Sequence, residues 1–214
     1  MKTEAVWVTE TFTSIQGEST WAGLPCFFVR LSGCNLRCVY CDSKHAYPAG
    51  RKTRIESLTR RFASSRAALA EITGGEPLAQ AGFRDLALGL LQVSRGRPVL
   101  VETNGSLDIA AIPKGVIAIM DVKCPGSGET AAMDWANLKR LRPHDETKFV
   151  IRDRMDFDWA RRLVIKHQLD RRCHAVIFSP VAGRLPPATL ASWVVASGLP
   201  IRAQIQLHKV MGVQ

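Results

Sequence analysis

The sequence predicts an α/β fold built on parallel strands, with residues 1–214 forming one domain, and three observations predict it. Apolar runs of about four to eight residues alternate with helical periodicity along almost the whole chain. Most of these runs end in a polar or glycine-containing segment, the position where parallel α/β folds build their sites. A length of 214 residues with 46% hydrophobic and 7% aromatic content suits a single large core.

The expected strands are residues 6–13, 26–31, 68–73, 99–103, 116–122, 147–151, 175–179 and 201–207. Helices fall between them. Ile55, Leu58 and Phe62 share one face at i, i+3, i+7, and Phe83, Leu86 and Leu90 repeat the pattern. Trp159 and Leu163 stack one turn apart in a third helix, and Leu190 and Val194 in a fourth. The segments expected to ring one mouth are Ile15-Gln16-Gly17, Ser32-Gly33, Thr73-Gly74-Gly75, Glu102-Thr103-Asn104-Gly105, Lys123-Cys124-Pro125 and Ser179-Pro180. No internal repeat, linker or low-complexity segment interrupts them.

Composition narrows the classes. No apolar stretch approaches the roughly 18 to 20 residues of a membrane span, and Met1-Lys2-Thr3-Glu4 leads directly into a strand-like pattern without a signal-peptide core. The expectation is a cytoplasmic protein with no membrane partner, and a reducing compartment also suits six cysteines. The formal net charge is +10, from 29 Lys and Arg against 19 Asp and Glu. The basic residues come as scattered pairs such as Arg60-Arg61 and Arg171-Arg172, without interleaved aromatics or an RNA-binding motif, and read as solvated helix faces. No direct nucleic-acid partner is expected. The surplus charge would help to attract an anionic substrate or an acidic, flavodoxin-like electron donor.

Chemistry concentrates in Cys34-Asn35-Leu36-Arg37-Cys38-Val39-Tyr40-Cys41, a CxxxCxxC cluster after an apolar strand. Three thiolates this close cannot all pair as disulfides but can serve one metal centre. A [4Fe-4S] cube held by three cysteines leaves one iron open for a ligand. A ferredoxin would supply a fourth cysteine at short spacing, yet Cys26, Cys124 and Cys173 do not continue the pattern, and Cys26 and Cys173 read as buried core thiols. A zinc site would want a closed fourth ligand, and His45 stands only four residues after Cys41. A second motif, Thr73-Gly74-Gly75-Glu76-Pro77, follows a strand and lets backbone approach a ligand without an intervening Cβ.

With Tyr40 just before the last cysteine, the two motifs resemble the radical S-adenosylmethionine (SAM) enzymes. That resemblance implies an incomplete barrel of about six βα units, a partial parallel (β/α)6-type architecture. It also implies a [4Fe-4S] cluster on Cys34, Cys38 and Cys41 whose open iron chelates SAM. Electron transfer then yields a 5′-deoxyadenosyl radical that abstracts hydrogen from substrate. Tyr40, Gly75 and Glu76 are carried over as SAM contacts or their support, with Lys123, Cys124 and Pro125 and with Ser179, Pro180, Val181 and Ala182 lining the same site.

Residues outside these motifs carry a narrower resemblance. Thr13-Ser14-Ile15-Gln16-Gly17-Glu18-Ser19, Gly23-Leu24-Pro25, Phe28-Val29-Arg30-Leu31-Ser32-Gly33, Cys41-Asp42-Ser43, Asp121-Val122-Lys123-Cys124-Pro125 and Gln206-Leu207-His208-Lys209 resemble the 7-carboxy-7-deazaguanine synthase family. That family contracts the ring of 6-carboxy-5,6,7,8-tetrahydropterin with loss of ammonia, on the route to queuosine and related 7-deazapurines, and regenerates SAM. The resemblance implies that Ile15, Gln16 and Gly17 hold the pterin, that Arg30 pairs with a charged substrate group, and that Thr73 touches substrate. It implies Mg²⁺ on Ser43, where the family usually has threonine, and a hydroxyl oxygen survives that change. It further implies a homodimer, and a C-terminal residue, Gln214, that folds back toward substrate; His208 stands near the site or is a core histidine. Two other classes compete: a glycyl-radical-enzyme activase, which would use the same cofactor motifs on a protein, and a non-catalytic iron-sulfur protein bound to RNA.

Overall fold

The computed structural model describes residues 3–213. Nine strands make one sheet in the order β3-β1-β2-β4-β5-β6-β7-β8-β9. They are β1 Ala5–Ile15, β2 Pro25–Leu31, β3 Arg51–Arg54, β4 Leu69–Gly74, β5 Val99–Thr103, β6 Val116–Asp121, β7 Glu146–Ile151, β8 Ala175–Pro180 and β9 Arg202–Ala203. The helices are α1 Ile55–Ser64, α2 Phe83–Val93, α3 Asn137–Arg140, α4 Arg154–His167, α5 Leu169–Arg172, α6 Pro187–Ser197 and α7 Leu207–Met211.

From β2 through β4 to β9 every neighbouring pair is parallel. Strands β2 and β4 to β8 are the six parallel strands of a partial barrel, which stays open because its edges, β3 and β9, do not pair with each other. The first leg departs from the all-parallel expectation, since β1 runs antiparallel to both β2 and β3. Strand β3 has the sequence Arg-Lys-Thr-Arg, which offers no apolar alternation; charge on an edge strand blocks pairing with other chains. The strand expected over residues 201–207 shrinks to the two residues of β9, and Leu207 instead opens α7.

The predicted stripes bury as expected. Leu58 and Phe62 of α1, Leu86 and Leu90 of α2 and Leu190 of α6 are almost wholly inaccessible and pack on the outer face of the sheet. Each such side chain contributes about 1.5–3 kcal/mol of hydrophobic stabilisation. In α4 the Asp153 carboxylate caps the first turn by accepting from Asp156 N at 3.1 Å, and Gln168 ends the helix in the left-handed region. Among the described residues no helix is long and apolar enough to cross a membrane.

Strand alternation gives the inner face its character. Cys26, Phe28, Leu69, Leu100 and Ile119 form a small apolar floor, with Phe12 stacked on Phe28 at 4.8 Å between ring centroids. Further along the same faces stand Arg30, two residues after Phe28, Thr73, four after Leu69, and Glu102, two after Leu100, so the barrel interior turns from apolar to polar toward the carboxyl ends of its strands.

Candidate active site

The polar end of the barrel encloses a cavity of about 850 Å³. Cys34, Cys38 and Cys41 line it from the loop after β2. Leu36 N donates to Cys34 Sγ at 3.4 Å and Asn104 Nδ2 approaches the same sulfur at 3.8 Å, so the end of β5 supports the cysteine loop. Val39 N donates to Ser127 O at 3.0 Å, which fixes the far side of the loop, and the Val39 side chain is left 68% exposed. The Tyr40 hydroxyl reaches Val150 O at 3.1 Å. Burial pushes the Cys34 and Cys38 thiols up, and Lys123 pulls both back toward ionisation.

This donor set suits an iron-sulfur cube. Three soft sulfurs with N–H donors aimed at one of them can each take a separate iron.

The glycine motif works differently from its sequence reading. A Cβ on Gly74 would lie 2.1 Å from Leu31 O, and one on Gly75 would lie 1.9 Å from Gly33 O. Gly75 N donates to Leu31 O at 3.0 Å and Glu76 N to Gly33 O at 2.8 Å. The glycines therefore let the end of β4 lie directly against the backbone that leads into Cys34. Glu76 is fully buried and its carboxylate accepts from Leu78 N (3.0 Å), the Thr103 hydroxyl (2.8 Å) and Asn104 N (2.7 Å). It braces the Asn104 loop rather than lining the cavity.

Below the cysteines, one buried ammonium serves several carboxylates. Lys148 Nζ on β7 donates to Glu18 and to Glu102, and the Thr73 hydroxyl donates to the other Glu102 oxygen at 3.1 Å. Against the cost of burial, Glu102 and Glu18 hold Lys148 firmly charged. Burial drives the Glu18 carboxyl up, while Glu102, only partly buried, is held down by Lys148. Beside them Glu71, 1% exposed on β4, receives a hydrogen bond from Gln16 Nε2. Lys123, paired with Asp121 at 2.8 Å, stays charged in the same way.

The mouth is assembled from both ends of the chain. Arg30 Nε meets Glu10 Oε1 at 2.8 Å and its Nη1 lies 3.5 Å from Ser43 Oγ, which donates to Asp42 at 3.2 Å. Lys209 Nζ and Gln206 Nε2 both donate to Asp42, at 2.7 and 3.2 Å. Against partial burial, Lys209 and Gln206 keep the Asp42 carboxyl below the usual range. Leu207 N donates to Gly17 O at 2.8 Å, and a Cβ on Gly17 would lie 1.9 Å from His208 Nδ1, so Gly17 is where α7 rests on the loop after β1.

Most residues singled out in the sequence reach this cavity: Ile15, Gln16, Gly17, Arg30, Thr73, Tyr40, Gly75, Lys123, Ser43 and residues 179–182 all line it. Three do not. Glu76 sits behind the Asn104 loop, Cys124 is buried with its thiol 3.9 Å from Val122 O, and Pro125 is exposed outside the cavity. Gln214 lies outside the described residues. His208 lines the cavity as well. Sequence reasoning passed over Glu71, hidden in the apolar run Ala67 to Ile72, and Lys148, whose neighbours Thr147 and Phe149 read as plain strand; a charge inside such a run is the signal that was available.

Comparison with known proteins places this geometry in company. The family model of the radical SAM superfamily matches residues 28–121, from β2 to the end of β6. The 7-carboxy-7-deazaguanine synthase of Koribacter versatilis is 41% identical over 216 residues, covering 94% of this chain and 95% of its own. That of Chlorobaculum tepidum is 40% identical over 213 residues, covering 98% and 96%. Among solved structures, QueE from Escherichia coli superposes with a TM-score of 0.72 over 95% of each chain, at 19% identity.

Proposed function

The chain belongs to the 7-carboxy-7-deazaguanine synthase family of radical SAM enzymes, and from that membership we propose that it contracts 6-carboxy-5,6,7,8-tetrahydropterin to 7-carboxy-7-deazaguanine with loss of ammonia, as a lyase of queuosine and 7-deazapurine biosynthesis. The observation that carries the reading is that the three cysteines and the Ile15-Gln16-Gly17, Arg30 and Thr73 group line one cavity. The bound cluster with SAM supplies a carbon radical for hydrogen abstraction.

The chain's own residues bind, orient and exclude water. Cys34, Cys38 and Cys41 hold the cluster. Tyr40, Gly75, Lys123 and residues 179–182 form the SAM side, with Glu76 as the brace behind it and Cys124 and Pro125 as supports of the Lys123 turn. Ile15, Gln16, Gly17 and Thr73 take the pterin. Arg30, whose guanidinium suits bidentate pairing, takes the substrate carboxylate.

Ser43 supplies a hard oxygen to Mg²⁺. Arg30 Nη1 is 3.5 Å from that hydroxyl, so the residue that would hold the ion and the residue that would hold the substrate carboxylate are neighbours.

The electron comes from an acidic, flavodoxin-like donor. Exposed Val39 beside the cysteines, with Arg37 and Arg152 exposed on the same side, supports that docking. A homodimer is supported by the exposed apolar side chains Val210, Met211 and Val195 on α7 and α6. Six free thiols suit a cytoplasmic location. Relatives that share the synthase name over nearly the whole chain favour neither the glycyl-radical activase nor the RNA-bound iron-sulfur protein.

The test is anaerobic reconstitution, then incubation with SAM, Mg²⁺, a reductant and 6-carboxy-5,6,7,8-tetrahydropterin. Mass spectrometry should find 7-carboxy-7-deazaguanine over many turnovers without matching SAM loss. SAM cleavage without that product would overturn the substrate assignment while leaving the cofactor chemistry.

A further inference from the structure

Glu71 is a buried acid that the reaction just described does not use. It projects inward from β4 at the level of the apolar floor, where its register partners on β2 and β5 are Phe28 and Leu100. A carboxyl at such a place costs stability unless it is hydrogen-bonded, and replacing it by an apolar side chain is often neutral or better for the fold. Its hydrogen bond comes from Gln16 Nε2. The other groups of Gln16 are engaged too: its backbone N donates to Leu24 O at 2.9 Å, its carbonyl accepts from Gly23 N at 2.8 Å, and its side-chain Oε1 accepts from Glu18 N at 2.6 Å.

A glutamine amide has two N–H donors and one oxygen, and only the surrounding partners decide which way it faces. Glu18 N and Glu71 decide it together, and among the described residues they leave one N–H of Gln16 without a protein acceptor in a side chain that lines the cavity. We propose that Glu71 is a positioning residue: by accepting one N–H of Gln16 it fixes the amide, and so presents the second N–H as a donor to an acceptor atom of the pterin ring.

This rests on the substrate reading of the 15–17 loop. The groups that face Glu71 are Glu102 on β5, Lys148 on β7, Glu18 after β1 and the Cys26 thiol on β2. Burial, then Glu102, pushes the Glu71 carboxyl well up. Protonated or not, it keeps an oxygen that accepts from Gln16.

The experiment is a double-mutant cycle on the reconstituted enzyme, read as KM for 6-carboxy-5,6,7,8-tetrahydropterin. Glu71→Leu should raise KM about tenfold with kcat within about twofold, and should add less than about twofold in a Gln16→Leu background. Iron content and SAM affinity should stay at parental values. Equal tenfold effects in both backgrounds, or no effect in either, would overturn the positioning role while leaving the substrate reading intact. A Gln16→Leu enzyme with parental KM would instead remove the loop from the substrate site, and any remaining effect of Glu71→Leu would then overturn the inference too. Should Glu71→Leu not fold, Glu71→Gln and Glu71→Asp decide. The first keeps an acceptor at the right reach and the second withdraws it by one methylene, so Asp must raise KM more than Gln; the reverse order overturns the proposal.

Discussion

Lys209 Nζ lies 2.7 Å from Asp42 Oδ2, which ties α7 to the residue that directly follows the third cysteine. The pair is half-exposed, and such contacts contribute only about 0–1 kcal/mol to folding. Its effect belongs to the mouth of the cavity. Lys209→Met should leave the melting temperature within about 2 °C of the parent and raise KM for the pterin about fivefold. A lowered Asp42 value means the contact is present above the ordinary carboxylate range and is lost only as pH falls through the depressed value. Hydrogen exchange over residues 207–211 should therefore show no loss of protection attributable to this pair between about pH 8 and pH 5; a step in that window would disprove the pairing.

Gly75→Ala should strike the cluster before the substrate. The added Cβ would fall 1.9 Å from Gly33 O, a backbone atom that cannot step aside without moving Cys34. Anaerobic reconstitution should incorporate less than about half the parental iron and sulfide, since overpacking displaces backbone. Parental iron content would show that the two loops are not coupled.

Gly17→Ala makes a reversible clash. The Cβ would meet His208 Nδ1 at 1.9 Å, and that atom belongs to a side chain that can be removed. The single variant should raise KM about tenfold. Gly17→Ala combined with His208→Ala should recover most of that loss, a non-additivity expected only of groups in contact. A double variant as poor as Gly17→Ala alone would mean that α7 does not rest on Gly17.

Lys148→Met removes the counter-charge of Glu18 and Glu102 and strands buried carboxylates, a change that costs about 3–5 kcal/mol. The melting temperature should fall by roughly 6 to 20 °C at pH 8. In the parent the raised lysine value keeps the contribution complete below the ordinary lysine range and loses it only as pH rises through the higher folded value. In the variant the carboxylates fold best when protonated, so the deficit should shrink at about pH 5. Equal deficits at both pH values would show that charge is not the cause.

The parts of this molecule that follow from local periodicity were legible in the sequence, and those that depend on which surfaces meet were not. Leu58 with Phe62 and Leu86 with Leu90 declare their helices because burial imposes the 3.6-residue period. Strand β3 escapes because Arg51–Arg54 is held by pairing with β1 alone, without an apolar face. Ile201 to Leu207 misled for the opposite reason: its apolar residues suggest a full strand, yet only Arg202–Ala203 pairs with β8, and Leu207 opens α7. In the site, Cys34, Cys38, Cys41 and Gly75 announced themselves by spacing. Glu76 and Cys124 share motifs with cavity residues yet point away from the cavity, since a motif fixes neighbours in sequence and tertiary packing fixes where each side chain goes. Glu71 and Lys148 were found only once β4 and β7 stood across the barrel from each other.

The clasp between the loop after β1 and α7 also has a consequence in folding. Gln204 Nε2 to Ser19 O, Leu207 N to Gly17 O and Lys209 Nζ to Asp42 each join residues at least 167 positions apart. Contacts of such separation carry the largest loop-closure cost, so the mouth of the cavity depends on the slowest class of contact in the chain, while the helices behind it need only their neighbours.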